Sequence, residues 1–345
     1  ARRAWTSEGP DRSQARHKLC QQQAAIISGS SLTITDRTNP PVIDWCNLQA
    51  RIAAVNANLM TQRLYRSMTM QILATDLDRT LLPNGSWPAD PGAIELFNQL
   101  TQKPGVLVVY VTGRNLDLTE RAIREYGVRH PHVLIGDVGT SIRRYDGKAW
   151  ETLTGWDRHV RRSSPRWDAE AVREAAAGID GMIEQEREHC GPFKQSYYVD
   201  HEEREAILRL VDERIRDSFD EVIIYSFDSQ SGKGLLDVLP HSATKQTALE
   251  YLAGDLHVDK ADVVFCGDSG NDIFPLTAGF SGVLVRNADE QLVTSVREAV
   301  EQRPELRVYH AQGGFRGLSG YYTSGVIEGA YHYGVFRDQG TDAFT

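Results

Sequence analysis

Asp76 and Asp78 stand two residues apart at the end of an apolar run, residues 72–75, that reads as a buried β-strand. In an extended chain, residues two apart share a face, so both carboxylates can reach one phosphate or one cation. A carboxylate can attack phosphorus and carry the phosphoryl group, while its neighbour gives a proton to the leaving oxygen and later draws one from water. The same design recurs at residues 263–272, where an apolar run ends in Gly267-Asp268-Ser269-Gly270-Asn271-Asp272. Four acids at two strand ends repel one another unless a cation is present. Mg²⁺, a hard ion that takes oxygen ligands, is therefore expected among Asp76, Asp268 and Asp272.

Stabilising the charge of a moving phosphoryl group also requires donors. The run 106–111 leads into Thr112-Gly113-Arg114, where a hydroxyl and the following amides can hold phosphate oxygens and Gly113 permits close backbone approach. Lys245 opens an expected helix after the strand-like run 236–240 and supplies the cation, with Lys233 as a positional competitor. Each piece has a plainer explanation when taken alone. Asp and Asn fill turns, Thr-Gly ends strands, and a lysine decorates a solvated helix.

These side chains need a frame. Short apolar, β-branched runs at 72–75, 106–111, 132–135, 263–266 and 282–285, with helical stretches at 93–102 and 118–126, predict a doubly wound, mostly parallel α/β sheet whose ligands bind outside the strands' carboxyl ends. Between about 155 and 232 the pattern changes to helix 168–179, strand 194–199, helix 203–218 and strand 221–225, which predicts an inserted α+β cap domain. Pro165 and residues 229–232 are the expected connections. The core is then 70–154 together with 233–345. Residues 1–69, polar and broken at Pro40-Pro41, form an amino-terminal extension to which no function is assigned.

A chain of 345 residues exceeds what a single core usually supports. Its net charge of −9 argues against a nucleic-acid footprint. There is no apolar run long enough for a membrane span and no apolar core of a secretory signal, so a cytoplasmic location is expected. Cys20, Cys46, Cys190 and Cys266 are scattered, without the spacing of a zinc site or a disulfide framework.

Taken in order, DLDRT at 76–80, VTGR at 111–114, a lysine opening a helix at 245 and GDSGND at 267–272 resemble the four motifs of haloacid dehalogenase (HAD) phosphatases. The resemblance covers about residues 71–335, and the cap lies between the second and third motifs as in the sucrose-phosphatase-like group, which favours Lys245 over Lys233. It implies that Asp76 is the nucleophile and Asp78 the general acid/base. Thr112, Gly113, Lys245 and Asn271 are implied at the phosphate. Asp76, Asp268 and the Asp78 backbone carbonyl are implied as Mg²⁺ ligands, with Asp272 close by.

Further features resemble sucrose-6-phosphate phosphatases: GPFKQSYYVD at 191–200, LDVLP at 236–240, VRNA at 285–288 and GVIEGA at 325–330. By that resemblance Lys194 contacts the sugar, and the expected substrate is a disaccharide phosphate, sucrose-6-phosphate first, with mannosylfructose-phosphate and glucosylglycerol-phosphate as alternatives. A monomer is expected, and association with a sugar-phosphate synthase is compatible with it. Two departures bear on the sugar: Gly139-Thr140-Ser141 where relatives carry Gly-Thr-Glu or Gly-Ser-Glu, and a long segment 313–322 rich in Gly and Tyr. Receiver domains share the acidic cluster, Thr and Lys, but lack the acid two positions after the nucleophile and the cap. A phosphomutase would use the same covalent intermediate, and a non-catalytic synthase partner would not need to keep all four motifs.

Overall fold

The computed structural model describes residues 70–216, 218–228 and 232–336. The expected extension 1–69, with Cys20 and Cys46, lies outside the described residues, as do Ser229, Gln230 and Ser231 of the expected connection. From β1 (Gln71–Thr75) the chain passes through α1 (Ala93–Leu100), β2 (Val106–Val111), α2 (Leu116–Tyr126) and β3 (Val133–Gly136). It then folds back in two antiparallel strands, β4 (Ser141–Tyr145) and β5 (Trp150–Thr152). Helix α3 (Thr154–Ser163) leads into α4 (Ala169–Ala176), β6 (Met182–Glu184), β7 (Gln195–Val199), α5 (Arg204–Ile215), β8 (Glu221–Asp228) and β9 (Lys233–Pro240). The chain then runs through α6 (Lys245–Leu256), β10 (Val263–Gly267), α7 (Ile273–Leu276), β11 (Ser281–Leu284), α8 (Glu290–Gln302), β12 (Arg307–His310) and α9 (Thr323–His332).

The first sheet has eight strands in the order β12-β11-β10-β1-β2-β3-β4-β5, parallel from β12 to β3. This is the expected doubly wound sheet. Leu73, Val108 and Val264 pack with Phe97, Ala122 and Val326 of α1, α2 and α9. Ile72, Val109 and Phe265 pack with Trp156, Leu249 and Val296 of α3, α6 and α8. Burial on both faces is why these strands read as unbroken apolar runs. Strands β5 and β12, the sheet's two edges, and β4 beside β5 escape such a reading because they are half exposed. Successive strands leave β1 toward β3 on one side and β10 toward β12 on the other. The carboxyl ends of β1, β2 and β10 therefore meet at the reversal of strand order, where open α/β sheets bind ligands.

The second sheet, β6-β7-β9-β8, is antiparallel throughout. Tyr197, Val199, Leu236 and Val238 turn onto Val172, Ile207 and Val211 of its two helices, α4 and α5. The alternate residues Tyr198, Leu235 and Asp237 face a cavity over the first sheet, as a period of two requires. Two expected boundaries change. Segment 233–240, assigned to the core from sequence, is β9 and pairs along its length with β8 and with β7, so the cap sheet extends to Pro240. Helix α3, assigned to the cap, buries Trp156 and Val160 among Leu249 and Leu252 in the core. Both segments sit next to a boundary and have an apolar pattern that suits either partner.

Cys190 and Cys266 carry free thiols. No helix among the described residues is long and apolar enough to cross a membrane.

Candidate active site

Strands β1 and β10 pair with Thr75 opposite Cys266, and the Asp76 amide continues the ladder to the Cys266 carbonyl at 2.9 Å. That register sets Asp76 beside the loop carrying Asp268 and Asp272. The carboxylates of all three are buried, with one oxygen of each lying within 4.8 Å of the others. The Thr80 hydroxyl donates to Asp268 Oδ1 at 2.8 Å, fixing the plane of that carboxylate.

Lys245 is the first residue of α6, whose start is closed by a reciprocal Thr244–Thr247 cap. Gly139, at φ 108°, seats the turn after β3 against this start. A Cβ there would stand 2.2 Å from the Thr244 carbonyl carbon, so only glycine permits the approach. The Lys245 ammonium donates to Asp272 Oδ1 at 2.8 Å, Asp76 Oδ1 at 2.9 Å and Asn271 Oδ1 at 3.0 Å. An ammonium has three donors, and all are used. Asp272 Oδ2 accepts the amides of Asp268 at 3.1 Å and Ser269 at 3.2 Å, so both its oxygens are engaged in holding the lysine and the loop.

The electrostatics follow from burial. Burial raises the Asp76 carboxyl to about 7, against the pull of Lys245 and with a further push from Asp272 and Asp78. Burial likewise drives Asp268 well above the carboxylate range, although Arg79 opposes it. For Lys245, burial disfavours the charge, but Asp272 and Asp76 outweigh it and hold the ammonium above its ordinary value. A cluster with this excess of buried negative charge suits a hard dication. One atom points the same way: Asp268 Oδ2 is buried and accepts no hydrogen bond. Arg79 Nη2 lies 2.9 Å from it but off the line a hydrogen bond requires.

The Asp78 carboxylate stands outside this group. Arg114 grips it through Nε–Oδ2 at 2.8 Å and Nη2–Oδ1 at 2.6 Å, and Asn84 donates to Oδ1 at 2.5 Å. Burial works against its charge, yet the Arg114 hydrogen bonds prevail and hold it below the usual range. Asp76, Asp268 and Asp272 share a site, while the Asp78 side chain is committed elsewhere.

Above these groups lies a cavity of about 420 Å³. Asp76, Asp78, Gly113, Asp268 and Asn271 line its core side, and Lys194, Tyr198 and Asp237 its cap side. Lys194 is buried, with Nζ 3.8 Å from Asp137 Oδ1 across the seam between core and cap. Lys233 is exposed and lies over the Tyr198 ring at 4.4 Å. Thr112, Lys245 and Asp272 do not line the cavity. Thr112 is fully buried, its hydroxyl accepting the Arg114 amide at 3.2 Å.

Sequence reasoning passed over Arg79, Asn84, Arg114, Asp137 and Asp237. Arg79 and Arg114 lie inside the motif strings, where an arginine with no visible partner reads as solvated. Asn84, in Pro83-Asn84-Gly85, looks like an ordinary turn. Asp137 and Val138 both have left-handed backbone, at φ 52° and 62°. Val138 is β-branched and keeps that conformation while packed against Ile224 and Leu239 of the cap.

The profile of the sucrose-6F-phosphate phosphohydrolase family matches residues 69–334. A protein of Nitrosococcus oceani described as a HAD-like hydrolase is 36% identical over 76% of this chain and 71% of its own length. A probable sucrose-phosphatase of Arabidopsis thaliana is 29% identical over 76% of this chain, which spans 59% of that relative. The mannosylfructose-phosphate phosphatase of Agrobacterium fabrum is 26% identical over 77% of this chain and 98% of its own length. Among solved structures, the sucrose-phosphatase of Synechocystis sp. PCC6803, in complex with sucrose and phosphate, has the same fold. Its TM-score is 0.63 at 24% identity, covering 77% of this chain and 98% of that one. The buried acidic group at the meeting of β1 and β10, the lysine locked among its carboxylates and the family match lead to one conclusion: this chain belongs to the sucrose-6F-phosphate phosphohydrolase family of HAD phosphatases.

Proposed function

We propose that this protein hydrolyses a disaccharide phosphate, sucrose-6-phosphate first, with Asp76 as nucleophile. The observation that carries the proposal is the position of Asp76. It is the buried carboxylate that both faces the cavity and is held on one oxygen by Lys245. With Oδ1 fixed, Oδ2 is the atom presented to phosphorus. Attack forms an aspartyl phosphate and breaks the bond to the sugar oxygen, which takes a proton as it leaves. Water then attacks phosphorus and returns Asp76.

Asp78 is the proton carrier of this reading. With both oxygens accepting from Arg114 and Asn84 it is held as the ionised base that draws a proton from water. To act first as an acid, its carboxyl must slip the Arg114 fork. Asp76 and Asp268 would hold Mg²⁺ with the Asp78 carbonyl, and the ion would neutralise the cluster and polarise a phosphoryl oxygen. Lys245 and Asp272 serve by orientation, since their polar atoms are already paired with each other and with the loop. The Gly113 and Asn271 edge of the cavity is where the phosphoryl oxygens would lie.

The cap side supplies recognition. Lys194, Asp237 and Tyr198 offer a cation, an acceptor and an aromatic ring on the cap side of a cavity sized for a small ligand. Relatives named for sucrose-phosphate and for mannosylfructose-phosphate support a disaccharide phosphate. The second has a specific claim, because this chain matches nearly its whole length.

The test is phosphate release with Mg²⁺ from sucrose-6-phosphate, mannosylfructose-phosphate, glucosylglycerol-phosphate and hexose phosphates, compared by kcat/KM. A preference of ~100-fold for one of the disaccharide phosphates, or about 2.7 kcal/mol of differential transition-state binding, is expected. A flat profile would remove the disaccharide assignment, and no release from any ester would remove the phosphatase reading.

A further inference from the structure

Arg79 occupies an unusual position between two carboxylates of very different exposure. Its Nη2 makes an aligned hydrogen bond of 2.5 Å to Asp289 Oδ1, whose side chain is 47% exposed. The same nitrogen rests 2.9 Å from Asp268 Oδ2, on a side chain that is 1% exposed, without the alignment of a hydrogen bond. The Arg79 backbone is pinned at both ends. Its amide donates to Asn84 Oδ1 at 2.7 Å, its carbonyl accepts from Asn287 Nδ2 at 2.6 Å, and its φ of 59° is left-handed. Only the side chain is free to swing.

We infer that the Arg79 guanidinium is a counter-cation that competes with the divalent metal for Asp268 and withdraws onto Asp289 when the metal binds. The inference rests on the Mg²⁺ reading given above. A dication on the buried Asp268 oxygen and a guanidinium within hydrogen-bond distance of it repel in a site where little water screens them. The aligned bond to Asp289 gives the guanidinium a second seat that it already half occupies. Asp289 is in turn tied to the site, because its amide donates to the Asp268 carbonyl at 2.8 Å, so the two seats stay in register. Without the metal, Arg79 offsets the charge of a carboxylate buried among Asp76 and Asp272. With it, Arg79 is a positioning residue at the rim.

The test is isothermal titration of the full chain with Mg²⁺ and with Mn²⁺, in the absence of any substrate, for wild type, Arg79→Gln, Asp289→Asn and the double variant. Removing the competitor should tighten metal binding about 10-fold in Arg79→Gln. Removing its second seat should weaken binding several-fold in Asp289→Asn. In the double variant the Asp289 change should have little further effect, since there is no guanidinium left to displace. That non-additivity separates competition from the general loss of a nearby charge. Unchanged or weaker binding in Arg79→Gln, or strictly additive effects, overturns the inference while leaving the metal assignment standing. Absence of metal binding in every variant overturns both. Circular dichroism of each variant reports whether a lost affinity reflects lost fold.

Discussion

Replacing Lys245 by Met keeps the aliphatic stem in α6 and removes the ammonium on which Asp76, Asn271 and Asp272 all depend. The three side chains of the ion cluster are nearly inaccessible: Lys245 is 2% exposed, Asp76 7% and Asp272 0%. Breaking a buried pair by removing one partner costs about 3–5 kcal/mol, because the remaining charge is left uncompensated. That cost depends on pH. In the wild type the Asp76 carboxyl is raised to about 7, so the folded protein binds this proton more tightly than the unfolded chain. The stability that the proton contributes is complete below the unfolded value of 3.8 and is lost as pH rises through about 7. Lys245 is the largest influence pulling that carboxyl down, so without it the loss moves to higher pH. At pH 5.5 Asp76 is protonated in the variant, so its share of the uncompensated charge is absent, only the loss at Asp272 and the missing hydrogen bonds remain, and the cost is smaller. At pH 8.5 the full ~3–5 kcal/mol is expected. Urea unfolding followed by tryptophan fluorescence, with a chelator present at both pH values, measures the difference. A destabilisation below ~1 kcal/mol, or one equal at both pH values, would show that Lys245 is not the cation balancing this cluster.

Asp76→Asn should abolish phosphate release, since an amide does not attack phosphorus, and near-normal turnover in a phosphate assay would remove the covalent mechanism. Chelating divalent metal should stop turnover with the circular dichroism spectrum intact, and restoring Mg²⁺ should recover it; activity persisting in excess chelator would contradict the acidic group's role. Lys194→Ala should raise KM for a disaccharide phosphate at least ~10-fold, the effect of losing one charged hydrogen bond, while sparing p-nitrophenyl phosphate. Equal loss on both esters would move Lys194 from sugar recognition to the fold. Gly139→Ala should cost about 3 kcal/mol or more in urea unfolding and lower kcat, because the new Cβ displaces the start of α6 that aims Lys245. A stable, fully active variant would show that the approach of Gly139 to Thr244 does not set the lysine.

Much of the frame was legible in the residues. The parallel strands announced themselves because helices bury both faces, and their acidic endings marked where a polar ligand meets the sheet. Asp76, Asp268 and Asp272 could be paired from sequence, since central strands of a doubly wound sheet bring their carboxyl ends together. Strand β9 could not be placed, because its apolar run suits a cap sheet as well as a core sheet, and only its pairing with β7 and β8 decides. The partners of the charged groups were equally out of reach. Whether Asp78 faces a metal or an arginine, and whether Lys245 has a donor to spare, depend on contacts such as Arg114 with Asp78, 36 positions apart, and Lys245 with Asp76, 169 apart. Periodicity shows which face of an element is buried, because burial repeats with the geometry of the chain. It is silent on polar partners, which are chosen one at a time by strand order, register and the few ångströms over which a hydrogen bond acts. The sequence therefore determined the class of chemistry and the sheet that hosts it. The tertiary structure decided which side chain restrains which, including the arginine shared between Asp268 and Asp289.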